Sequence, residues 1–168
     1  MASTYEPIAT VTTSGTTNVI TFSSIPNTYT DLRLICNFTS DGTFSHRIQF
    51  NSDTASNYAN TLMVNNSGAV QINEAVGARW ASNSVGVDPT IPSMAIIDIF
   101  GYANTSLNKA FLSQGAGSYY TTTGGYAEIN VGLWRSTAAI NTLKLLWSAG
   151  GYNFKAGSIF ALYGIKAA

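Results

Sequence analysis

The chain has 168 residues, of which 10% are charged and 45% hydrophobic, and its formal net charge is zero. Soluble proteins average about 25% charged residues, so this surface must be polar but largely uncharged. The length suits a single domain over residues 1–168, and the apolar content excludes a disordered chain, which combines low hydrophobicity with high net charge. A near-neutral chain lacks the repulsion that keeps molecules apart, which favours a subunit of an assembly.

The charge pattern and the apolar runs exclude two classes of partner. The eight lysines and arginines are scattered among neutral residues, whereas a phosphate backbone is bound by clustered cations, so no nucleic-acid partner is expected. The longest apolar runs, such as residues 94–97, are far shorter than the ~20 residues of a membrane helix, so no membrane partner is expected. Residues 1–7 lack the basic start and apolar core of a secretory signal, which favours synthesis in a cytoplasm.

Period-two alternation predicts strands along the first part of the chain. Residues 8–12 and 19–22 are expected to form a hairpin. Residues 31–38 and 44–50 both alternate, which predicts two adjacent antiparallel strands. Cys36 is the only cysteine and shares the apolar face of its strand, so it is expected to be a small buried hydrophobe.

The middle of the chain is rich in turn residues. Residues 51–77 are expected to be a long surface excursion with short strands at 61–64 and 70–72. Pro89 and Pro92 cannot donate to a strand ladder, so they are expected outside it or at the entry of a strand. Further strands are predicted at residues 79–85, 93–100, 107–114, 126–134 and 142–148. The glycines at 115 and 117 are expected to end the strand at 107–114.

The closing stretch, residues 155–166, organises this set of strands. Its apolar residues fall on both faces of an extended chain, as in an interior strand that completes the sheet. Many short strands without helices predict an all-β fold, an antiparallel two-sheet β-sandwich of jelly-roll-like type. An immunoglobulin-like sandwich is the alternative, although it typically needs only ~100 residues.

Residues that carry catalysis or bind metals are sparse. His46 is the only histidine and is expected to be a core or interface residue rather than a ligand or general base. Residues 51–57 place oxygen atoms at alternate positions but lack the glycine and distal glutamate of a calcium loop, so a turn held by side-chain hydrogen bonds is expected. Four acids, Asp53, Asp88, Asp98 and Glu128, show no spacing that would pair carboxylates for sugar hydrolysis. The sequence predicts no enzymatic activity, no cofactor and no metal.

Aromatic residues around Gly124 and Gly125 form the candidate contact site. Large rings supply contact area at small entropic cost, so they suit recognition of a partner chain or a glycan. Half or more of these rings are nevertheless expected to lie in the core. The candidate residues are Tyr119, Tyr120, Tyr126 and Trp134.

Several stretches resemble virion proteins of tailed bacteriophages. The most specific is residues 156–165 (AGSIFALYGI), followed by residues 50–58 (FNSDTASNY) and 132–143 (GLWRSTAAINTL), with further similarity at residues 5–10 and 22–29. The resemblance covers most of the chain and is least specific over residues 63–83. It implies a small β-sandwich structural component of a particle, either a trimeric capsid decoration or cement protein or a tail-associated module, and it carries over no catalytic residue.

The resemblance and the composition together lead to a functional expectation. The chain is expected to be a non-enzymatic capsid decoration or cement protein that forms a homotrimer, binds the major capsid protein or other virion proteins, and resides in the virion after synthesis in the host bacterial cytoplasm. The segments 51–77 and 115–125 are the expected contact loops. The alternative is a receptor-binding or carbohydrate-binding module of the tail or a fibre.

Overall fold

A computed structural model describes residues 4–42, 46–66, 69–78, 81–83, 90–118, 125–147 and 151–166. These ranges contain strands and turns, and no helix that could cross a membrane. The strands are β1 (Tyr5–Thr12), β2 (Val19–Phe22), β3 (Asp31–Phe38), β4 (His46–Phe50), β5 (Tyr58–Asn66), β6 (Ala69–Ala78), β7 (Ala81–Asn83), β8 (Ser93–Phe100), β9 (Lys109–Ser118), β10 (Gly125–Trp134), β11 (Leu143–Trp147) and β12 (Ile159–Ile165).

The strands form two antiparallel sheets that share one core. The large sheet has eight strands in the order β1-β12-β3-β8-β9-β10-β5-β6, and the small sheet has four in the order β2-β11-β4-β7. The chain passes repeatedly between the sheets, as in a jelly roll, because β1, β3 and β5 lie in the large sheet while β2 and β4 lie in the small one. The predicted all-β sandwich is confirmed.

The closing strand β12 lies between β1 and β3, so its prediction as an interior strand is confirmed. Phe160 and Leu162 are fully buried between the sheets. The opposite face of β12 is only partly covered, since Ile159 is 45% exposed and the other three residues of that face are half-buried. The expectation that both faces of this strand would be covered is therefore met in full on one face only within this chain.

The core between the sheets is strongly aromatic. Phe38 stacks on Phe160 with ring centroids 6.0 Å apart and meets Phe154 edge-on at 5.5 Å. His46 is 1% exposed and also packs edge-on against Phe38, at 5.5 Å. Cys36 is fully buried on the same strand as Phe38. The predictions of a core histidine and a buried hydrophobic cysteine are confirmed.

Two predicted strand pairings are wrong. β1 and β2 do not form a hairpin, because β1 pairs with β12 and β2 with β11. β3 and β4 are not adjacent either, since β4 pairs with β11 and β7 in the small sheet. Alternation reveals which face of a strand is buried but not which sheet it joins, and packed sheets lie only about 10 Å apart, a distance that a short connection can span.

The middle of the chain is more regular than expected. Residues 58–78 are not an excursion with short strands, because β5 and β6 form a long hairpin. The glycines at 115 and 117 do not end β9, since strands β8 and β10 pair with it on both sides. Pro92 directly precedes β8, as predicted, whereas Pro89 lies outside the described residues. The predicted strand at 79–85 is described only over Ala81–Asn83, where it is β7.

Candidate interaction surface

The face of the large sheet that points away from the small sheet, here called the outer face, is exposed to solvent. The strand registers place its residues in rows that cross all eight strands. One row consists of Thr10, Ala161, Ile35, Ile96, Gln114, Ile129, Met63 and Ile72. The next consists of Thr12, Ile159, Asn37, Met94, Ala116, Ala127, Asn65 and Val70. We call these two the uncharged rows, because neither contains a charged residue.

The row next to the uncharged rows contains the charged residues Arg33, Asp98 and Glu74, of which the first two form an ion pair. Arg33 and Asp98 face each other across β3 and β8, with Arg33 Nε 2.5 Å from Asp98 Oδ1 and Arg33 Nη2 2.8 Å from Oδ2. Arg33 Nη1 also donates to the Tyr5 hydroxyl at 2.8 Å. Hydrogen bonding to Asp98 raises the pKa of Arg33. The bidentate pair adds no net charge to the outer face.

The outer face exposes an unusual amount of aliphatic surface. Exposed fractions include 50% for Met63, 51% for Ile129, 57% for Val131 and 76% for Val76. Five more aliphatic residues of this face are 38% to 66% exposed, namely Ile35, Val70, Ile72, Met94 and Ile159. Clustered exposed aliphatic side chains are typical of a surface that another protein covers.

Strand β10 places its polar side inward and its aliphatic side outward. Glu128 is 4% exposed and Asn130 is fully buried, whereas Ile129 and Val131 lie on the outer face. Asn130 pairs in register with Ser113, which is also fully buried. Burial of polar side chains costs free energy unless they are hydrogen-bonded, so this orientation is not what local hydrophobicity favours. A sheet face that stays in water would carry polar residues at these outward positions, whereas β10 carries aliphatic ones.

Shallow grooves run between the aliphatic side chains of the outer face. One, of about 310 Å³, includes Glu74, Val76 and Val131 in its lining. A second, of about 240 Å³, lies between Met94 and Ile129, and a third, of about 180 Å³, is lined by Met63 and Ile129. Alanine and glycine residues form much of the groove lining, so side chains of a partner could enter between the aliphatic ridges.

The structure describes two of the four residues of the predicted aromatic site, Tyr126 and Trp134. Tyr119 and Tyr120 lie outside the described residues. Tyr126 is 8% exposed and Trp134 is 2% exposed. They are eight residues apart on one face of β10, about 27 Å at the usual rise of a strand. Both rings belong to the interior, in agreement with the expectation that half or more of the four aromatic residues are core.

The loop after β4 is a turn held by side-chain hydrogen bonds, as predicted. Asp53 Oδ1 accepts from the Ala55 backbone N–H at 2.8 Å, and Oδ2 accepts from Asn57 Nδ2 at 2.8 Å and from Trp134 Nε1 at 2.7 Å. Burial raises the pKa of Asp53, but these hydrogen bonds outweigh it and leave the pKa lowered. Asn51 and Ser52 adopt positive φ values of 51° and 55°, which close the turn. The described ranges contain no group of three or more His, Cys, Asp or Glu side chains that could hold a metal ion.

Cys36 and His46 have the environments of core residues. Burial raises the pKa of the Cys36 thiol, and it lowers the pKa of His46 to about 4. Both side chains are therefore uncharged at neutral pH. A nucleophilic cysteine requires a thiolate stabilised by a nearby positive charge, and desolvation acts in the opposite direction here.

The fold and the outer face define the chain as a β-sandwich protein with one exposed, largely uncharged sheet face. No protein-family model, curated protein or solved structure is significantly similar to it. The sequence did not predict the outer face as an interaction site. The feature of the sequence that could have indicated it is the alternation along β10, where Ile129 and Val131 lie on the face opposite to Glu128 and Asn130.

Proposed function

We propose that the chain is a structural protein of a tailed-bacteriophage virion, a capsid decoration or cement protein that docks through its outer face on subunits of the shell and associates with copies of itself. The observation that carries the proposal is the pair of uncharged rows across all eight strands of the large sheet. The resemblance of the sequence to phage virion proteins supports a phage particle as the assembly in which the chain resides. The proposed location is therefore the virion.

The proposed mechanism is burial of apolar area repeated over a symmetric lattice. Each Å² of apolar surface removed from water contributes about 25 cal/mol before the costs of association are subtracted. A single contact can then be modest, because neighbouring contacts hold the subunit with high effective concentration. The neutral Arg33–Asp98 pair needs no counter-charge on the shell, whereas the exposed Glu74 of the same face would be matched by a positive group there.

The direct test is binding of purified protein to phage heads that lack it, observed by electron microscopy. We expect regular labelling of the shell by the wild-type protein. Ile129→Asp, which introduces a charge at a 51% exposed position of the outer face, should reduce binding by about tenfold or more, since burying an unpaired charge is costly. Val19→Asp is the matched control, because Val19 is 39% exposed but lies on β2 in the small sheet.

Two results would overturn this proposal. Equal binding of the Ile129→Asp and wild-type proteins would exclude the outer face as the docking surface. Labelling confined to the tail would reject the capsid role and favour the receptor-binding or carbohydrate-binding module. Circular dichroism of each variant excludes unfolding as the cause of lost binding.

A further inference from the structure

One groove of the outer face, here called the Glu74 groove, combines aliphatic walls with an exposed carboxylate. It has a volume of about 310 Å³ and lies between Glu74 and Val76 of β6 and Val131 of β10. Val76 and Val131 are 76% and 57% exposed, and Glu74 is exposed as well. The grooves of about 240 and 180 Å³ include Glu128 in their linings, but that residue is only 4% exposed and faces the interior. The exposed carboxylate therefore distinguishes the Glu74 groove from these two.

The strand registers fix the shape of the Glu74 groove. Thr61 of β5 lies between Glu74 on one side and Val131 on the other, so about 10 Å, two strand spacings, separate these residues. Ala59 and Gly132 also line the groove, and their small size leaves space between its walls. A long, unbranched side chain of a partner suits a shallow groove of this width.

The charge of Glu74 is not offset by a cation nearby on the outer face. Arg33 lies in the same row, but it is paired with Asp98 and is five strands away, or about 24 Å. Exposed charges are largely screened beyond about 8 Å at physiological ionic strength. The lining of the Glu74 groove contains no lysine or arginine, and neither ion pair of the described residues involves Glu74. The groove therefore has a negative potential.

Aliphatic walls beside one carboxylate are complementary to a side chain with an apolar stem and a cationic end. We propose that the Glu74 groove receives an arginine side chain of the protein that covers the outer face, an inference that rests on the proposed docking through this face. The stem packs between Val76 and Val131, and the guanidinium donates two hydrogen bonds to the Glu74 carboxylate. Arginine suits this position better than lysine, because its planar fork matches a carboxylate and is more weakly hydrated than an ammonium group.

Other side chains of a partner would leave Glu74 in an unfavourable environment. An aliphatic side chain over the groove removes the carboxylate from water without a compensating charge, which is costly. An acidic side chain adds repulsion between like charges. The uncharged rows provide apolar area without direction, whereas a bidentate ion pair at one end of the face fixes the orientation of the bound subunit.

Head binding of two variants of equal net charge tests the ion pair. Glu74→Gln keeps the shape of the side chain and should weaken binding to phage heads by about tenfold or more, because the partner's guanidinium is then covered without a counter-charge. Asn73→Lys is the matched control, since it also raises the net charge by one but lies on the other side of β6, where Asn73 is exposed. It should bind as the wild type does. Added salt should weaken binding of the wild type more than binding of Glu74→Gln.

A second measurement needs no phage head. Butylguanidinium, an analogue of the arginine side chain, should shift the methyl resonances of Val76 and Val131 in an NMR titration. Its dissociation constant should be about two- to fivefold lower than that of the neutral analogue butylurea, as expected for a solvent-exposed ion pair. In Glu74→Gln the two compounds should bind equally.

Three results would overturn the inference. They are equal head binding of Glu74→Gln and the wild type, equal losses of binding in Glu74→Gln and Asn73→Lys, and equal affinities of butylguanidinium and butylurea for the wild-type protein. The same measurements separate this inference from the proposed function. If Ile129→Asp loses head binding while Glu74→Gln retains it, the arginine contact is rejected and the proposed function stands. If the wild type does not label heads while butylguanidinium binds in preference to butylurea, the capsid role is rejected and the groove retains its preference for arginine.

Discussion

The indole Nε1 of Trp134 donates a 2.7 Å hydrogen bond to Oδ2 of Asp53 and so joins the end of β10 to the loop that follows β4. Trp134 lies in the core, stacked near Tyr58 at 6.4 Å between ring centroids. Asp53, which was considered as a calcium ligand or a catalytic acid, therefore stabilises a turn. Trp134, which was considered as a contact residue, is buried and donates to that carboxylate.

Replacement of Asp53 by alanine should lower the free energy of unfolding by about 1–3 kcal/mol, because the buried indole N–H loses its acceptor. Urea unfolding of the purified variant measures this change. Glu74→Ala serves as the control, since Glu74 is an exposed carboxylate on β6, and its effect should be below about 0.5 kcal/mol. Similar losses in the two variants would show that the Asp53 hydrogen bonds do not stabilise the turn.

His46 should make the protein less stable as the pH falls from 6.5 towards 4. Burial lowers the folded-state pKa from 6.5 to about 4, so the unfolded chain binds a proton in this range while the folded chain does not. The stabilisation is complete above pH 6.5 and is lost as the pH falls through the folded pKa, by about 3 kcal/mol in all. Urea unfolding between pH 7 and 5 detects much of this loss while the carboxylates are still largely ionised. His46→Leu should remove the slope in this window, and an unchanged slope in that variant would assign the effect to another group.

Adjacent residues of β12 should differ sharply in their contribution to stability. Phe160 is fully buried between Phe38 and Phe154, with ring centroids 6.0 and 4.9 Å away. Phe160→Ala should cost about 3–5 kcal/mol through the lost contacts and the cavity left behind. Ile159→Ala, at the next position but 45% exposed on the outer face, should cost less than about 1 kcal/mol. Equal effects in thermal or urea unfolding would contradict the assignment of the two faces.

Two glycines of β10 provide a further comparison within one strand. A Cβ at Gly132 would lie 1.8 Å from Cζ of Phe111, whereas a Cβ at Gly125 would meet no atom within 4 Å. Gly132→Ala should therefore destabilise the protein by about 1–3 kcal/mol or more, because the Phe111 ring must move within a packed core. Gly125→Ala should leave the free energy of unfolding nearly unchanged. A stable Gly132→Ala protein would show that Phe111 does not occupy the space above this glycine.

Strand positions followed from the sequence where one face of a strand is uniformly apolar. In β3, Leu32, Leu34, Cys36 and Phe38 alternate with less apolar residues, and they are all buried. The pairing of β3 with β8 and β12 could not be predicted in the same way, because the partners are distant in the sequence and local alternation is compatible with either sheet. Long-range pairing depends on how the complete set of strands fills the core.

The outer face was harder to predict than the core because its composition resembles that of a core. Ile129 and Val131 would ordinarily be assigned to the interior of a strand that also contains Glu128 and Asn130. The structure reverses this assignment, since Trp134 and Tyr126 share the inward face and their large rings fill space in the interior. Burial of the rings thereby turns the aliphatic residues outward, where the candidate interaction surface lies.

Methionine oxidation tests the central claim, that the outer face is buried in the assembled particle, without any substitution. Met63 and Met94 are 50% and 47% exposed on this face in the isolated chain, and exposed thioethers are readily converted to sulfoxides by peroxide. Peroxide labelling followed by mass spectrometry should show both residues oxidising readily in the free protein and about tenfold more slowly after binding to phage heads. Oxidation of Met63 and Met94 at the same rate in the free and bound protein would contradict the account.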